Sequence, residues 1–137
     1  MAFEESPEIF WQRFTDFAIP AEIMPVPYGY PLVEALTQIG AVYAFDRGAP
    51  PTPVGRLDVL FACSLENFRY RHSRPQLQRM PAGRTMLAGK VLRQLDDYTY
   101  LFDVGIPLII NSHEPLEVGA SLEVVAAPPL MVFRNEV

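Results

Sequence analysis

VGRLDVLFACSLENFRYRH, residues 54–72, is the stretch whose reading decides the fold. From Val54 to Leu65 apolar side chains occupy both faces of a period-2 repeat, as a central strand covered on both sides requires. The second part, ENFRYRH, alternates instead: Phe68, Tyr70 and His72 lie on one face, Arg69 and Arg71 on the other. A strand of this kind needs neighbours, and the chain on either side has to supply them.

Downstream the pattern stays β. MLAGKVLRQL (86–95), Asp96 and Asp97, then YTYLFDV (98–104) predict a hairpin with a short acidic turn. Tyr98, Tyr100, Phe102 and Val104 share one face of its second strand. The opposite face, Thr99, Leu101 and Asp103, makes a poor core, so the aromatic row is expected inside. Gly105 and Pro107 interrupt before LIIN (108–111). Val118 to Ala120 then look like a turn feeding a strand from Ser121 to Ala127, and Pro128 and Pro129 separate it from LMVF (130–133), expected at a sheet edge.

Upstream the signals are helical and proline-rich. Ser6 as N-cap, Pro7 at the first helical position and Glu8 in the first turn predict a helix. Phe10, Phe14 and Phe17 recur on one stripe beside Trp11, and Pro20 ends the element. A helix of about a dozen residues is marginal alone, so the stripe must pack on something. Prolines 25, 27 and 31 impose an extended connection. A second short helix over 31–39 fits Leu32, Leu36 and Ile39 with Gly40 as cap, against the alternative that GAVYAF (40–45) is already a strand.

These elements predict a mainly β, α+β fold: a small antiparallel barrel or strongly twisted sheet with an N-terminal helical arm. Residues 1–53 form the helical and proline-rich arm, packed on a β-rich, barrel-like part at 54–137 within one structural domain. GKVLRQLDDYTYLFDVGIPLIIN (89–111), followed by LEVGASLEV (116–124), resembles oligonucleotide/oligosaccharide-binding (OB) fold domains, with their Gly-started strand, hairpin and later VG turn. The resemblance covers roughly residues 85–134 at fold level and carries over no functional residue.

Composition narrows the function classes. Half the 137 residues are apolar and a fifth charged, an ordinary globular balance that needs no disulfide or metal. The acidic start MAFEESPEIFWQRF does not read as a signal peptide, and no apolar run approaches the ~20 residues of a membrane helix. A cytoplasmic protein is expected. Charge is segregated: residues 1–55 carry −5, residues 56–93 carry +6 and residues 94–137 carry −6, within a net charge of −5. A basic island between acidic flanks marks either an anionic partner or a charge-complementary contact within the fold.

Catalytic players are scarce. Cys63 sits among apolar residues and reads as an inert core thiol; His72 and His113 are the two histidines. GRTMLAGK (83–90) fails as a P-loop, because five residues separate Gly83 from Gly89 and Val91 stands where Ser or Thr is required. Asp96 and Asp97 read as turn formers. Catalysis is unsupported rather than excluded, and no cofactor or metal is expected.

What remains is binding. NFRYRHSRPQLQR (67–79) interleaves Arg69, Arg71, Arg74 and Arg79 with Phe68, Tyr70 and His72, and Arg84 follows. Guanidinium forks pair with phosphates and rings stack on bases, so Arg69, Tyr70, Arg71, His72, Arg74, Arg79 and Arg84 form a candidate surface for single-stranded nucleic acid. The plainer reading is a half-buried strand whose arginines face water. A rival function is a protein-interaction or self-assembly module, in which Phe10, Trp11, Phe14 and Phe17 dock on a neighbour or a second copy and the arginines meet an acidic protein surface.

Overall fold

A computed structural model describes residues 6–25, 30–80 and 84–135. Pro27, within the proline-rich connection, Gly83 of the P-loop-like stretch, and the first five residues lie outside them. Helix α1 (Pro7–Phe14) runs into a 3-10 turn (Thr15–Phe17). Nine strands follow: β1 (Ile19–Ile23), β2 (Leu32–Thr37), β3 (Gly40–Asp46), β4 (Gly55–Tyr70), β5 (Gln76–Arg79), β6 (Thr85–Asp96), β7 (Thr99–Asp103), β8 (Pro107–Asn111) and β9 (Ser121–Arg134).

The spine is the antiparallel β4–β9 ribbon, paired from Val59↔Arg134 to Tyr70↔Leu122. On its outer edge β4 pairs β1 at Gly55–Val59 and β8, in parallel, at Phe61–Ser64. The outer edge of β9 pairs β6 at Ser121–Ala126 and β3, in parallel, at Met131 and Val132. Two circuits therefore leave the ribbon and return to it, one through β1, β2 and β3, the other through β8, β7 and β6. The result is the expected mainly β, barrel-like fold with one N-terminal helix.

Both circuits enclose one core. Val33, Ala35, Val42 and Ala44 from the first join Leu87, Val91, Tyr100 and Phe102 from the second in a single buried cluster, with Val59, Phe61 and Cys63 of β4 between them. The other face of β4, Leu60 and Ala62, lies under α1 in a second cluster with Phe10, Phe14, Leu101, Ile109 and Phe133. That is why Val54 to Leu65 is apolar on both faces. Phe10 stacks on Phe133 at 3.9 Å between centroids, and Ser6 caps the helix through Ile9 N–H.

Three expectations change. Residues 32–37 are a strand paired with β3 through a hairpin, not a second helix, because burial follows the period-2 pair Val33 and Ala35 while Leu36 and Ile39 stay exposed. LMVF is not an edge strand but the last third of the 14-residue β9. Pro128 and Pro129 fit inside β9 because the ladder shifts register there, between Ala62↔Met131 and Ser64↔Ala127, where a missing N–H costs no hydrogen bond. The aromatic row is inside at Tyr100, Phe102 and Val104, whereas Tyr98, in the turn, is exposed. The opposite face is no bare surface: Leu101 is buried beneath α1.

Residues 1–53 thus supply α1 and three strands of the sheet. The connection from β3 to β4 is pinned by a buried ion pair: Arg134 Nε donates to both Asp46 oxygens at 3.1 and 3.2 Å. Asp46 also accepts from Gly48 N–H and from the Thr52 hydroxyl, and an Arg134 terminal nitrogen donates to the Ala49 carbonyl.

Candidate nucleic-acid interface

The alternation read in ENFRYRH survives, but a bulge resets it. Odd residues 59, 61, 63 and 65 face the core along the first part of β4. Between Leu65↔Ala126 and Asn67↔Val125 the register shifts, leaving Glu66 as the extra residue, after which the even positions turn inward. Phe68 accordingly packs on the core. Tyr70 is the next inward-phased position and pairs with the buried Leu122, yet β4 ends there and Tyr70 is 55% exposed. Its ring meets Phe68 edge-on at 5.7 Å.

Arg69 and Arg71 point to the outer face, where both find the same carboxylate. Arg69 Nε donates to Glu123 Oε1 at 2.7 Å, and Arg71 approaches Glu123 Oε2 at 3.5 Å. The Arg69 hydrogen bond is the main reason the Glu123 carboxyl is held below its ordinary range, partly opposed by burial and helped by the charges of Arg69 and Arg71. His72 Nδ1 lies 3.5 Å from the Ser121 hydroxyl. Arg74 is exposed in the loop before β5 and, among the described residues, meets no carboxylate.

The other two arginines part from this group. Arg84 donates from Nε to Glu66 at 2.8 Å, and Arg79 lies over the Tyr43 ring at 4.6 Å. The strand end therefore gathers Arg69, Tyr70, Arg71 and His72, with Arg74 in the loop that follows, while Arg79 and Arg84 border a separate cleft. Glu123 is the residue that sequence reasoning missed. It lies 54 positions from Arg69, and only the β4–β9 register brings them together.

The aromatic stripe of α1 is used within the chain. Phe10 and Phe14 are buried, Trp11 and Phe17 half-buried against the same cluster, and the Arg93 guanidinium lies 5.3 Å over Phe17. Cys63 is fully buried, and burial pushes its thiol up to about 12, away from thiolate chemistry at neutral pH. Among the described residues no group of three or more His, Cys, Asp or Glu is placed to hold a metal ion, and no helix is long and apolar enough to cross a membrane.

Comparison of the chain with protein-family models, with curated proteins and with solved structures finds no match.

Proposed function

We propose that this chain is a non-catalytic binding module for single-stranded nucleic acid, with Tyr70 as a stacking platform and Arg69, Arg71 and Arg74 as phosphate contacts around it. The observation that carries the reading is the exposure of Tyr70. A half-buried strand with a merely solvated arginine face would hide its inward-phased aromatics; here the last of them is 55% exposed, at the end of a strand whose other face carries Arg69 and Arg71. Such a ring costs nothing to uncover when a base stacks on it, and a stacked base contributes about 1–3 kcal/mol.

Glu123 tempers the charge without cancelling it. One carboxylate serves two guanidinium groups, so a phosphate has to compete for Arg69 and Arg71 but not for Arg74. The rival reading, docking through the aromatic helix, finds Phe10 and Phe14 already buried against the same chain.

The test is fluorescence anisotropy with a labelled single-stranded oligonucleotide at ~50 mM salt, where counterion release favours association. Binding is expected, and Tyr70→Ala should weaken it by about 1–3 kcal/mol with little change in thermal stability. No binding by the wild-type chain at that salt overturns the proposal.

A further inference from the structure

We infer that the cleft between β3 and the β5–β6 hairpin is a binding site for a small organic anion: a flat, apolar body carrying a carboxylate or a phosphate. The cleft exists because the β9 ladder is interrupted. On one edge β9 pairs β6 as far as Ala126 and β3 from Met131 onward, and among the described residues the backbone between them has no strand partner on that edge. The prolines at 128 and 129 keep that stretch from donating to a strand that would fill the gap.

The opening measures about 350 Å³, within the roughly 300–1,000 Å³ range of small-molecule sites and too compact for a folded partner. Its floor is apolar, made by Phe45, Pro128, Pro129 and Leu130. Phe45, part of that lining, is 42% exposed, an aromatic ring left in water. Among the described residues no acidic side chain lines the cleft, whereas two guanidinium groups do.

The Arg79 guanidinium carbon lies 4.6 Å over the Tyr43 ring, and among the described residues Arg79 meets no carboxylate. Arg84 uses Nε on Glu66; its two terminal nitrogens donate to no described acceptor. A planar fork with free donors beside an apolar floor selects an anionic head on a flat body, since carboxylate and phosphate match guanidinium geometry and the floor takes the rest. Glu66, and Glu34, which accepts from the Tyr43 hydroxyl at 3.0 Å, hold the walls in place. This site is separate from the Tyr70 end of β4 and does not depend on nucleic-acid binding there.

Isothermal titration calorimetry of the full chain with AMP, benzoate, inorganic phosphate and adenosine tests the inference. AMP, benzoate or both should bind with one-to-one stoichiometry; the tighter of the two identifies the phosphate-bearing or the carboxylate-bearing source. Arg79→Gln removes a charged hydrogen-bond donor from an exposed position and should weaken binding roughly tenfold or more. Phe45→Ala, which keeps the charge and removes the flat floor, should also weaken it. Arg56→Gln, an exposed charge that lines no part of the cleft, should leave it unchanged. The inference is overturned if neither AMP nor benzoate binds at millimolar concentration, if inorganic phosphate or adenosine binds as tightly as the better of them, or if folded Arg79→Gln and Phe45→Ala variants bind like the parent.

Discussion

The Asp46 side chain has no exposure at all, and both of its carboxylate oxygens are occupied by hydrogen-bond donors. Removing the partner of a buried charge leaves the other charge without compensation, at a cost of about 3–5 kcal/mol. Asp46→Ala should therefore lower the unfolding free energy by that amount in urea denaturation, since Arg134, 7% exposed, has no water to replace the carboxylate. Gly89 is constrained in a different way. A Cβ there would sit 1.9 Å from the Asp103 carbonyl oxygen, a backbone atom that cannot move aside, so β6 and β7 approach closely only because residue 89 is glycine. Glu123 offers a titration. Its folded pKa is depressed, so its contribution to stability is complete above the unfolded value of about 4.3 and is lost as pH falls through the folded value. In Arg69→Gln the carboxyl should titrate closer to the ordinary glutamate range; carbon-detected NMR of the side-chain carboxyl reads the change, and an unchanged titration would mean that Arg69 is not its main support.

At the scale of elements, the start of α1 and its buried stripe were legible because their signals are local, but its end was not: the helix stops at Phe14, a 3-10 turn follows, and Pro20, expected to end the helix, lies within β1. Cap, first-turn proline, acidic first turn and aromatic stripe all lie within a dozen residues, and the structure uses each. The helix has only eight residues, too few for stability in water, so packing on Phe133, Leu60 and Leu101 must hold it. Phe10→Ala should cost about 3–5 kcal/mol, as for other large aromatic truncations, measured by denaturation, and should leave the barrel's outer apolar face open to self-association in gel filtration. β2 was not legible because two periods compete within residues 31–39: Leu32, Leu36 and Ile39 fit a helix, Val33 and Ala35 a strand. Tertiary burial decided, since the strand places Val33 and Ala35 in the shared core. β9 was misdivided because proline is an interruption only where its N–H is needed, and a register shift removes that need. The candidate site shows the same limit: alternation in 66–72 showed which residues share a face, but not that Tyr70, at the end of β4, stays 55% exposed.

Across the whole molecule, the segregated charge is partly consumed by the fold. Arg69 and Arg71 of the basic island meet Glu123 of the acidic C-terminal third, and Arg13 of the first third meets Asp96 of the last. An internal charge-complementary contact and an anion-binding surface are therefore not exclusive readings of the same arginines; they compete for them, and the competition is measurable. Replacing Glu123 by Gln keeps the side chain's size but turns one acceptor oxygen into a donor NH2 and releases two guanidinium groups from a full negative charge. If those groups contact phosphates, Glu123→Gln should bind a single-stranded oligonucleotide more tightly than the parent. Its log–log salt dependence should also steepen, by up to about 1.4 for two further contacts at ~0.7 each. Stability should change little, because pairs of largely exposed arginines with one carboxylate contribute little in water. Anisotropy titrations between ~50 and 200 mM salt read both quantities at once. An affinity and slope equal to the parent's would mean that Arg69 and Arg71 serve only Glu123; Arg74 and Tyr70 would then have to account for all binding at the strand end.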